Sequence, residues 1–379
     1  MSSNNVKVMD AVRNGKNSAS KKDIQRVTGL SWGTMCKTTN LLLEQGYLFA
    51  RREKTNSPGR PVVPLCVNAD SALFCGIDVG AATTKTLFCD MNFNILHRDE
   101  LPTEPYTTPE RFSDWIAEVF HQVLRESGVQ KEKLHAVGLA ISGNVDSEHG
   151  LIVSGGNFGM KYGADIPLTG IAQRIGKPVY AVTTQVAAVC AEYHFGKRAG
   201  CGNLVSIGLG VGIGSGIVTN HMLLLSHPKR PVGYIGHILI PGNRHLCTCG
   251  FTGCLEAYSG SRYLAEIAKE TLPDRPELHS APALDRAATQ GDPDALKIMT
   301  TAASYNAVGI AAMIQLYAPD AILFSGGQSR RDGFLFQTTL EKLAEILPPE
   351  RRSCFLDITN LGAHQSALGA ARLAYETFF

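Results

Sequence analysis

One histidine and three cysteines lie close together near the middle of the chain, and they constrain its fold more than any other feature. The four residues are His237, Cys247, Cys249 and Cys254, and glycines separate the last two thiols. Three thiolates and one imidazole complete the tetrahedral shell of a structural Zn²⁺ and leave no position for an activated water. We therefore predict one structural Zn²⁺ per chain. The alternative is that these cysteines are reduced, buried residues without a metal.

Length and composition indicate an ordinary soluble protein. The 379 residues are enough for two or three domains, with 44% apolar and 18% charged residues. The N-terminus does not resemble a signal peptide, and no apolar run is long enough to span a membrane. The ten cysteines follow no regular disulfide framework, which favours a reducing compartment. We therefore expect a cytoplasmic protein with no membrane partner.

The charge is distributed unevenly along the chain. Residues 1–65 carry eleven Lys and Arg against four Asp and Glu, a net charge of +7. The remainder carries 25 basic and 30 acidic residues, a net charge of −5. A basic head on an acidic body predicts a nucleic-acid-binding module joined to a domain with another role.

The basic head has the pattern of a helix–turn–helix. Residues 6–12 and 21–27 have helical spacing, Ser20 is a candidate N-cap, and Gly29 suits the turn before a third helix over residues 32–45. We expect its core to be built from Ile24, Val27, Leu30, Met35 and Leu42. The residues expected to face DNA from the third helix are Ser31, Trp32, Thr34, Lys37 and Thr38.

Two short strands after the third helix predict a wing, and residues 1–70 then form a winged helix–turn–helix domain. Arg51 and Arg52 belong to the first strand. Arg60 lies in a Gly-Arg-Pro turn, and such an arginine can enter the narrow minor groove of A·T-rich DNA; a solvated turn arginine is the alternative. We predict that the head binds double-stranded operator DNA, which would place the protein on the bacterial nucleoid. A protein-binding winged helix is the competing interpretation.

From Leu73 onwards, strands and helices alternate around three glycine-rich or small-residue turns. The first turn follows Asp78, the second spans residues 208–216, and the third is at residues 326–327. Together with the His/Cys cluster, these pieces resemble the ROK family of sugar kinases and sugar-responsive repressors, in their order along the chain. The resemblance implies an α/β fold of the actin/hexokinase-like ATPase type with two lobes. We expect one lobe over residues 71–190, completed by residues 362–379, and a second over residues 191–361 that carries the zinc loop and the surface of a homodimer or a dimer of dimers.

The residues expected to perform catalysis depart from the family pattern. Family kinases have a Glu-Asn-Asp-Ala-Asn segment whose aspartate is the general base on the sugar hydroxyl. Thr184 stands at that position here, and Thr183 replaces the preceding asparagine. A threonine hydroxyl has no accessible pKa for this task, and loss of a general base removes about two to four orders of magnitude in rate. We therefore predict no catalytic residue and no physiological kinase activity.

The resemblance also implies which residues bind the effector. Tyr234 replaces a sugar-binding carboxylate, and Asn157 takes the place of an asparagine that contacts a sugar hydroxyl. The full set of expected effector contacts is Asn157, Lys161, Thr183, Thr184, Tyr234, His237 and Glu256. Fewer carboxylates and a nearby lysine favour an anionic ligand such as a sugar phosphate, while a neutral sugar and a pocket that binds nothing stay open. Taken alone, Lys161 is better explained as a solvated loop residue.

These predictions combine into a ligand-responsive transcription factor, a repressor of a carbohydrate-catabolic operon. The competing class is an ATP-dependent sugar kinase with a DNA-binding head, which the retained Asp78 and the glycine turns support. A third possibility is a repressor controlled by a sequestering partner protein, for which no surface is specified by the sequence.

Overall fold

The protein is described by a computed structural model at residues 3–51, 63–104, 108–155, 165–225, 227 and 232–379. The first part contains three helices and a two-stranded antiparallel sheet. The elements are α1 (Asn4–Asn14), α2 (Lys21–Thr28), α3 (Trp32–Glu44), β1 (Leu48–Ala50) and β2 (Leu65–Val67). Ser20 and Asp23 form a reciprocal capping box at the start of α2, and Gly29 has a φ of 65° after its end. The predicted positions of these helices are confirmed.

Two side chains of the first part lie elsewhere than predicted. Val27 is 66% exposed, so its assignment to the core was wrong, although Ile24, Met35 and Leu42 are fully buried. Thr38 was expected to face outward, yet it is only 7% exposed. The reason is helical phase, because Thr38 lies three residues after Met35 and four before Leu42 and therefore shares their inward face.

A five-stranded mixed sheet follows, with the strand order β10-β6-β3-β4-β5. Its strands are β3 (Leu73–Val79), β4 (Thr83–Cys89), β5 (Ile95–Pro102), β6 (Leu134–Ile141) and β10 (Val179–Thr183). The central strand β3 is buried along its whole length and pairs with β4 antiparallel and with β6 parallel. Helices α4 (Pro109–Ser127) and α5 (Leu168–Ile175) share an apolar core with this sheet. A small sheet is formed by β7 (Asn144–Asp146), β8 (Leu151–Ser154) and β9 (Ile166–Pro167).

A second five-stranded sheet repeats the pattern of the first, with two antiparallel pairs followed by two parallel pairs. Its strands are β11 (Leu204–Leu209), β12 (Ile213–Thr219), β13 (Met222–Leu223), β14 (Ala321–Ser325) and β15 (Phe355–Ile358). Its helical side contains α7 (Glu256–Ser259), α8 (Ser261–Thr271), α9 (Ala281–Thr289), α10 (Pro293–Tyr317) and α11 (Phe334–Ile346). The same alternation of hairpins and parallel crossovers therefore occurs twice along the chain.

Two further helices, α6 (Thr184–Phe195) and α12 (Gln365–Phe378), join the parts of the structure. Helix α6 packs on α12 and on β11 and β12, while α12 packs on β3 and β6. The packing is close: a Cβ at Gly76 would lie 1.8 Å from the carbonyl oxygen of Ala367, and one at Gly369 would lie 1.8 Å from that of Ala187. Only glycine permits such backbone contacts, which fix α12 against both the first sheet and α6.

The N-terminal helices share one apolar core with the first sheet and the C-terminal helix. Met9, Leu42, Phe74 and Tyr375 are all buried in this common cluster. None of the helices described is both long and apolar enough to cross a bilayer.

Candidate ligand cavity and metal site

The structure brings together the four residues predicted to bind zinc. One ligand atom from each of His237, Cys247, Cys249 and Cys254 lies within 4.8 Å of all the others. The Sγ of Cys247 lies 3.7 Å from Nδ1 of His237, and the Sγ atoms of Cys249 and Cys254 are 3.6 Å apart. A tetrahedral Zn²⁺ with bonds of about 2.3 Å to sulfur holds its ligand atoms about 3.8 Å apart. The donor types and their spacing therefore fit a small tetrahedral metal ion.

Backbone turns place these ligands. A short 3₁₀ helix, Ile235–His237, carries the imidazole, and Gly250 and Gly253 have φ angles of 93° and 95°. The amide of Gly250 donates to the carbonyl of Cys247 at 2.9 Å, which closes the turn between the first two thiols. A side chain at either glycine would strain this loop, so the glycines support the ligand geometry.

Burial disfavours the thiolate of Cys247, but hydrogen bonds from His237 and Cys249 outweigh it and hold the pKa of Cys247 below its usual value. Metal binding requires deprotonated thiols, and this environment favours the thiolate of Cys247. Burial raises the pKa of Cys249 and of Cys254, so a bound cation would have to stabilise those two thiolates.

A large cavity of about 1420 Å³ is lined by residues from both five-stranded sheets. Of the expected effector contacts, the ones that line it are Thr183, Thr184, Tyr234, His237 and Glu256. Asn157 and Lys161 lie outside the described residues, so their predicted contacts stay predictions. His237 belongs both to the cavity wall and to the metal cluster, and this joins the two sites through one side chain.

Thr184 begins α6 at the cavity wall, and its hydroxyl donates to Oδ1 of Asp78 at 3.3 Å. Burial raises the pKa of Asp78 to about 6, against the opposing influences of Lys85 and of the Thr184 hydrogen bond. The Thr183 hydroxyl accepts from the amide of Val186 at 3.4 Å and so caps α6. Thr183 consequently has a structural role besides any contact with a ligand.

Tyr234 and Glu256 also line the cavity. The Tyr234 hydroxyl donates to Oδ1 of Asn144, and its ring lies 5.3 Å from that of His237. Oε2 of Glu256 accepts from the amide of Ile213 at 2.6 Å, and burial raises the pKa of Glu256. One carboxylate oxygen is thus held by the backbone, which orients the group towards the cavity it lines.

Gln185 is a cavity residue that the sequence did not reveal. A Cβ at Gly208 would lie 2.3 Å from Nε2 of Gln185, and one at Gly214 would lie 3.0 Å from its Cγ. The glutamine side chain therefore packs against Gly208 of β11 and Gly214 of β12, on either side of the glycine-rich turn. The contact between Gln185 and these glycines depends on how α6 packs, which the sequence does not specify. The one hint in the sequence is that Gln185 directly follows Thr184.

Some of the residues predicted to bind DNA are exposed on the surface, and others are not. Trp32 is 48% exposed, Ser31 and Lys37 are exposed, and Thr34 is half-buried. The Ser31 hydroxyl accepts from the amide of Thr34 at 3.2 Å and caps α3. Arg51 is exposed after β1, whereas Arg52 and Arg60 lie outside the described residues. Thr38 is buried and does not belong to this surface.

Two sheets of repeated topology around a cavity, joined by α6 and α12, define a mixed α/β fold of the sugar-kinase type. The chain belongs to the ROK family, whose model matches residues 74–377.

Similar proteins include both kinases and regulators. A glucokinase of Thermotoga maritima is 31% identical over 72% of this chain and 88% of its own length. A xylose repressor of Caldicellulosiruptor bescii is 22% identical over 92% of this chain and 88% of its own length. Among solved structures, a ROK family transcriptional regulator described as a homologue of the Escherichia coli MLC protein has a TM-score of 0.80 at 21% identity, covering 99% of this chain and 97% of its own. The repressor and the regulator therefore match a larger share of the chain than the glucokinase does.

Proposed function

We propose that the protein is a DNA-binding transcription regulator, a repressor of a carbohydrate-catabolic operon that responds to a sugar or sugar derivative. Residues 1–70 would act as a winged helix–turn–helix domain, with Ser31, Trp32, Thr34 and Lys37 of α3, together with Arg51, Arg52 and Arg60, on operator DNA. The extent of the match to the xylose repressor supports this assignment, because that match spans 92% of the chain.

One observation carries the proposal that the body binds a ligand without phosphorylating it. Thr184 occupies the start of α6 beside Asp78, and the Gln185 side chain packs against Gly208 and Gly214 next to the glycine-rich turn. A threonine hydroxyl is a poor proton acceptor, and a side chain beside the glycine-rich turn would crowd a phosphate approaching its backbone amides. Both features act against phosphoryl transfer, while Tyr234, His237 and Glu256 still line the cavity and can contact a ligand.

The proposed metal is a structural Zn²⁺ held by His237 and the three thiolates. A bound Zn²⁺ supplies folding free energy and fixes the imidazole orientation. Since His237 also lines the cavity, ligand contacts at this wall would depend on the metal loop. The proposed assembly is a homodimer or a dimer of dimers, with the lobes bounded at residues 71–190 with 362–379 and 191–361.

A sugar kinase is the second candidate, and Asp78 is the observation that favours it. Among the described cavity residues the carboxylates are Asp78 and Glu256, and a pKa of about 6 would let Asp78 accept a proton near neutral pH. The identity of 31% to a glucokinase points the same way.

Two measurements separate the candidates. Coupled ADP release is followed with ATP, Mg²⁺ and a panel of sugars, and the regulator predicts no sugar-dependent turnover above background. Isothermal titration calorimetry with the same sugars and their phosphates should detect binding to the zinc-loaded protein, and this comparison also decides between a neutral and an anionic effector. Turnover at a rate typical of kinases, about 1–100 s⁻¹, would overturn the proposal.

A further inference from the structure

A second cluster of metal-binding side chains lies away from the cysteines. It contains Asp146 at the end of β7, His149 in the turn that follows, and His227 in the segment after β13. One ligand atom from each residue lies within 4.8 Å of the other two.

The distances describe a site with one carboxylate at its centre. Oδ2 of Asp146 lies 2.9 Å from Nδ1 of His149 and 3.7 Å from Nε2 of His227. The second distance is too long for a hydrogen bond. It is close to the separation of about 3.4 Å between two ligands of one tetrahedral cation with bonds of about 2.1 Å. A small movement of two side chains would therefore place three donors around one ion.

The surroundings hold the carboxylate and leave the imidazoles accessible. Asp146 is buried, and its Oδ1 accepts from the amide of His149 at 3.1 Å, which fixes the carboxylate plane. The side chain of His149 is 63% exposed and that of His227 is 25% exposed. The turn itself is held by Ser147, whose hydroxyl donates to the carbonyl of Ala181 at 2.8 Å. An ordered carboxylate next to two reachable imidazoles suits an ion that enters from solvent.

We propose that Asp146, His149 and His227 bind a divalent transition-metal ion of the Zn²⁺ class, with the remaining coordination position taken by water. Two imidazoles and a carboxylate are preferred ligands of Zn²⁺, Co²⁺ and Ni²⁺, whereas Mg²⁺ and Ca²⁺ prefer oxygen donors. Binding releases any proton carried by the coordinating nitrogens.

The site lies outside the cavity, but two of its residues are near cavity residues along the chain. Asn144, two residues before Asp146 on the same strand, accepts the hydrogen bond of Tyr234, and Tyr234 lies seven residues after His227. A bound ion would therefore tie the β7–β8 hairpin to the segment that carries Tyr234. Metal at this position would restrict separation of these two segments.

Equilibrium dialysis of the full-length protein against excess Zn²⁺, followed by elemental analysis, tests the proposal. The wild type should retain two ions per chain, one in each cluster, and His149→Ala and His227→Ala should each retain one. His121→Ala removes a histidine from helix α4 and serves as the matched control, which should keep two. A wild type that holds a single ion, or a His149→Ala variant that keeps two, overturns the proposal.

Cobalt substitution identifies which cluster is filled. Thiolate ligands give Co²⁺ an intense charge-transfer absorption, so the cysteine cluster produces this band and the proposed site does not. We expect the band to be unchanged in His149→Ala, while the second equivalent of Co²⁺ fails to bind. Because His149 is exposed, this variant should keep its circular dichroism spectrum even if His227→Ala does not fold. Equal losses in His149→Ala and His121→Ala would show non-specific binding to surface histidines and would also overturn the proposal.

Discussion

Arg372 in α12 donates a hydrogen bond to Oδ2 of Asp10 in α1 at 2.5 Å, although the two residues are 362 positions apart. The guanidinium is fully buried, and it also pairs with Glu376 at 3.1 Å. Its charge lies 4.8 Å from the centre of the Tyr375 ring. The first and last helices of the described chain are thus joined by a charge pair whose guanidinium is buried and whose carboxylate is partly exposed. Helix α12 in turn packs on α6 beside the cavity. This contact connects the proposed DNA-binding head to the wall that carries Thr184.

Asp10→Ala should destabilise the protein strongly, because it leaves the buried guanidinium of Arg372 with fewer partners. Removing one member of a fully buried ion pair costs about 3–5 kcal/mol, and the loss here should not exceed the lower end because Asp10 is partly exposed and Glu376 still pairs with Arg372. Arg372→Met should cost less than half as much, since methionine fills the space and Asp10 keeps its contact with Arg13. Urea denaturation of both variants measures the two free energies of unfolding. Equal losses would show that the charge pair itself contributes little to docking of α1.

Removal of the proposed zinc should weaken both folding and DNA binding. Cys254→Ser replaces a buried ligand of the cluster, so the variant should lose its metal and unfold at a temperature lower by several degrees. Cys201→Ser is the control, because Cys201 is half-buried and lies outside the cluster. Elemental analysis measures the metal content of each variant, and thermal unfolding measures its unfolding temperature. A Cys254→Ser protein that has lost its zinc yet binds DNA like the wild type would contradict a role of the metal loop in signalling.

The local signals in the sequence predicted much of the fold. Ser20 and Gly29 act through adjacent backbone groups, so capping and turn chemistry located α2 correctly. The spacing of Cys247, Cys249 and Cys254 likewise predicted a cluster, because the turns between them allow little freedom. Features that depend on atoms close together along the chain can therefore be predicted from the amino-acid sequence.

Contacts between distant segments could not be predicted in this way. The side chain of Gln185 covers Gly208 only because α6 packs against β11, and Asp146 meets His227 only through the folded positions of two loops. Thr38 was placed outward because its hydroxyl suggested DNA contact, while its burial follows from the helical face it shares with Met35 and Leu42. Tertiary packing determines where these side chains lie, and the polarity of a residue alone does not predict its exposure.

The raised pKa of Asp78 predicts how stability depends on pH. The pKa is about 6 in the folded protein and about 3.9 in an unfolded chain, so between these values the folded state binds more protons. The free energy of unfolding should therefore fall as the pH rises from about 4 to about 6, by about 3 kcal/mol for this group. Asp78→Asn should remove this slope, and Asp114→Asn on the exposed face of α4 should keep it. Denaturation curves at several pH values give the comparison, and an unchanged slope in Asp78→Asn would assign it to other groups.

The proposed DNA surface predicts a change in salt dependence. Lys37 is exposed on α3, so Lys37→Ala should weaken binding to non-specific duplex DNA and reduce the slope of log affinity against log salt by about 1. Lys269→Ala removes an exposed lysine of α8, far along the chain from α3, and should change neither quantity. Fluorescence anisotropy over a range of salt concentrations measures both. If the two variants behave alike, α3 is not the phosphate-binding surface.

Two glycines in the strands of the β11–β12 hairpin should respond differently to the same substitution. At Gly216 an added Cβ would lie 2.0 Å from the carbonyl oxygen of Gln185, a backbone atom of α6 that cannot move alone. At Gly208 it would meet the amide end of the Gln185 side chain, which can rotate away. Gly216→Ala should therefore cost about 3 kcal/mol and Gly208→Ala less than about 1 kcal/mol.

Gln185→Ala provides the internal control for this pair, because it removes the side chain and leaves the backbone in place. In urea denaturation, Gln185→Ala should relieve the cost of Gly208→Ala and leave that of Gly216→Ala unchanged. The same variant uncovers the glycines, so it should also bind ATP more tightly than the wild type in calorimetry. If ATP affinity did not rise, Gln185 would not be the group that keeps phosphate away from this turn.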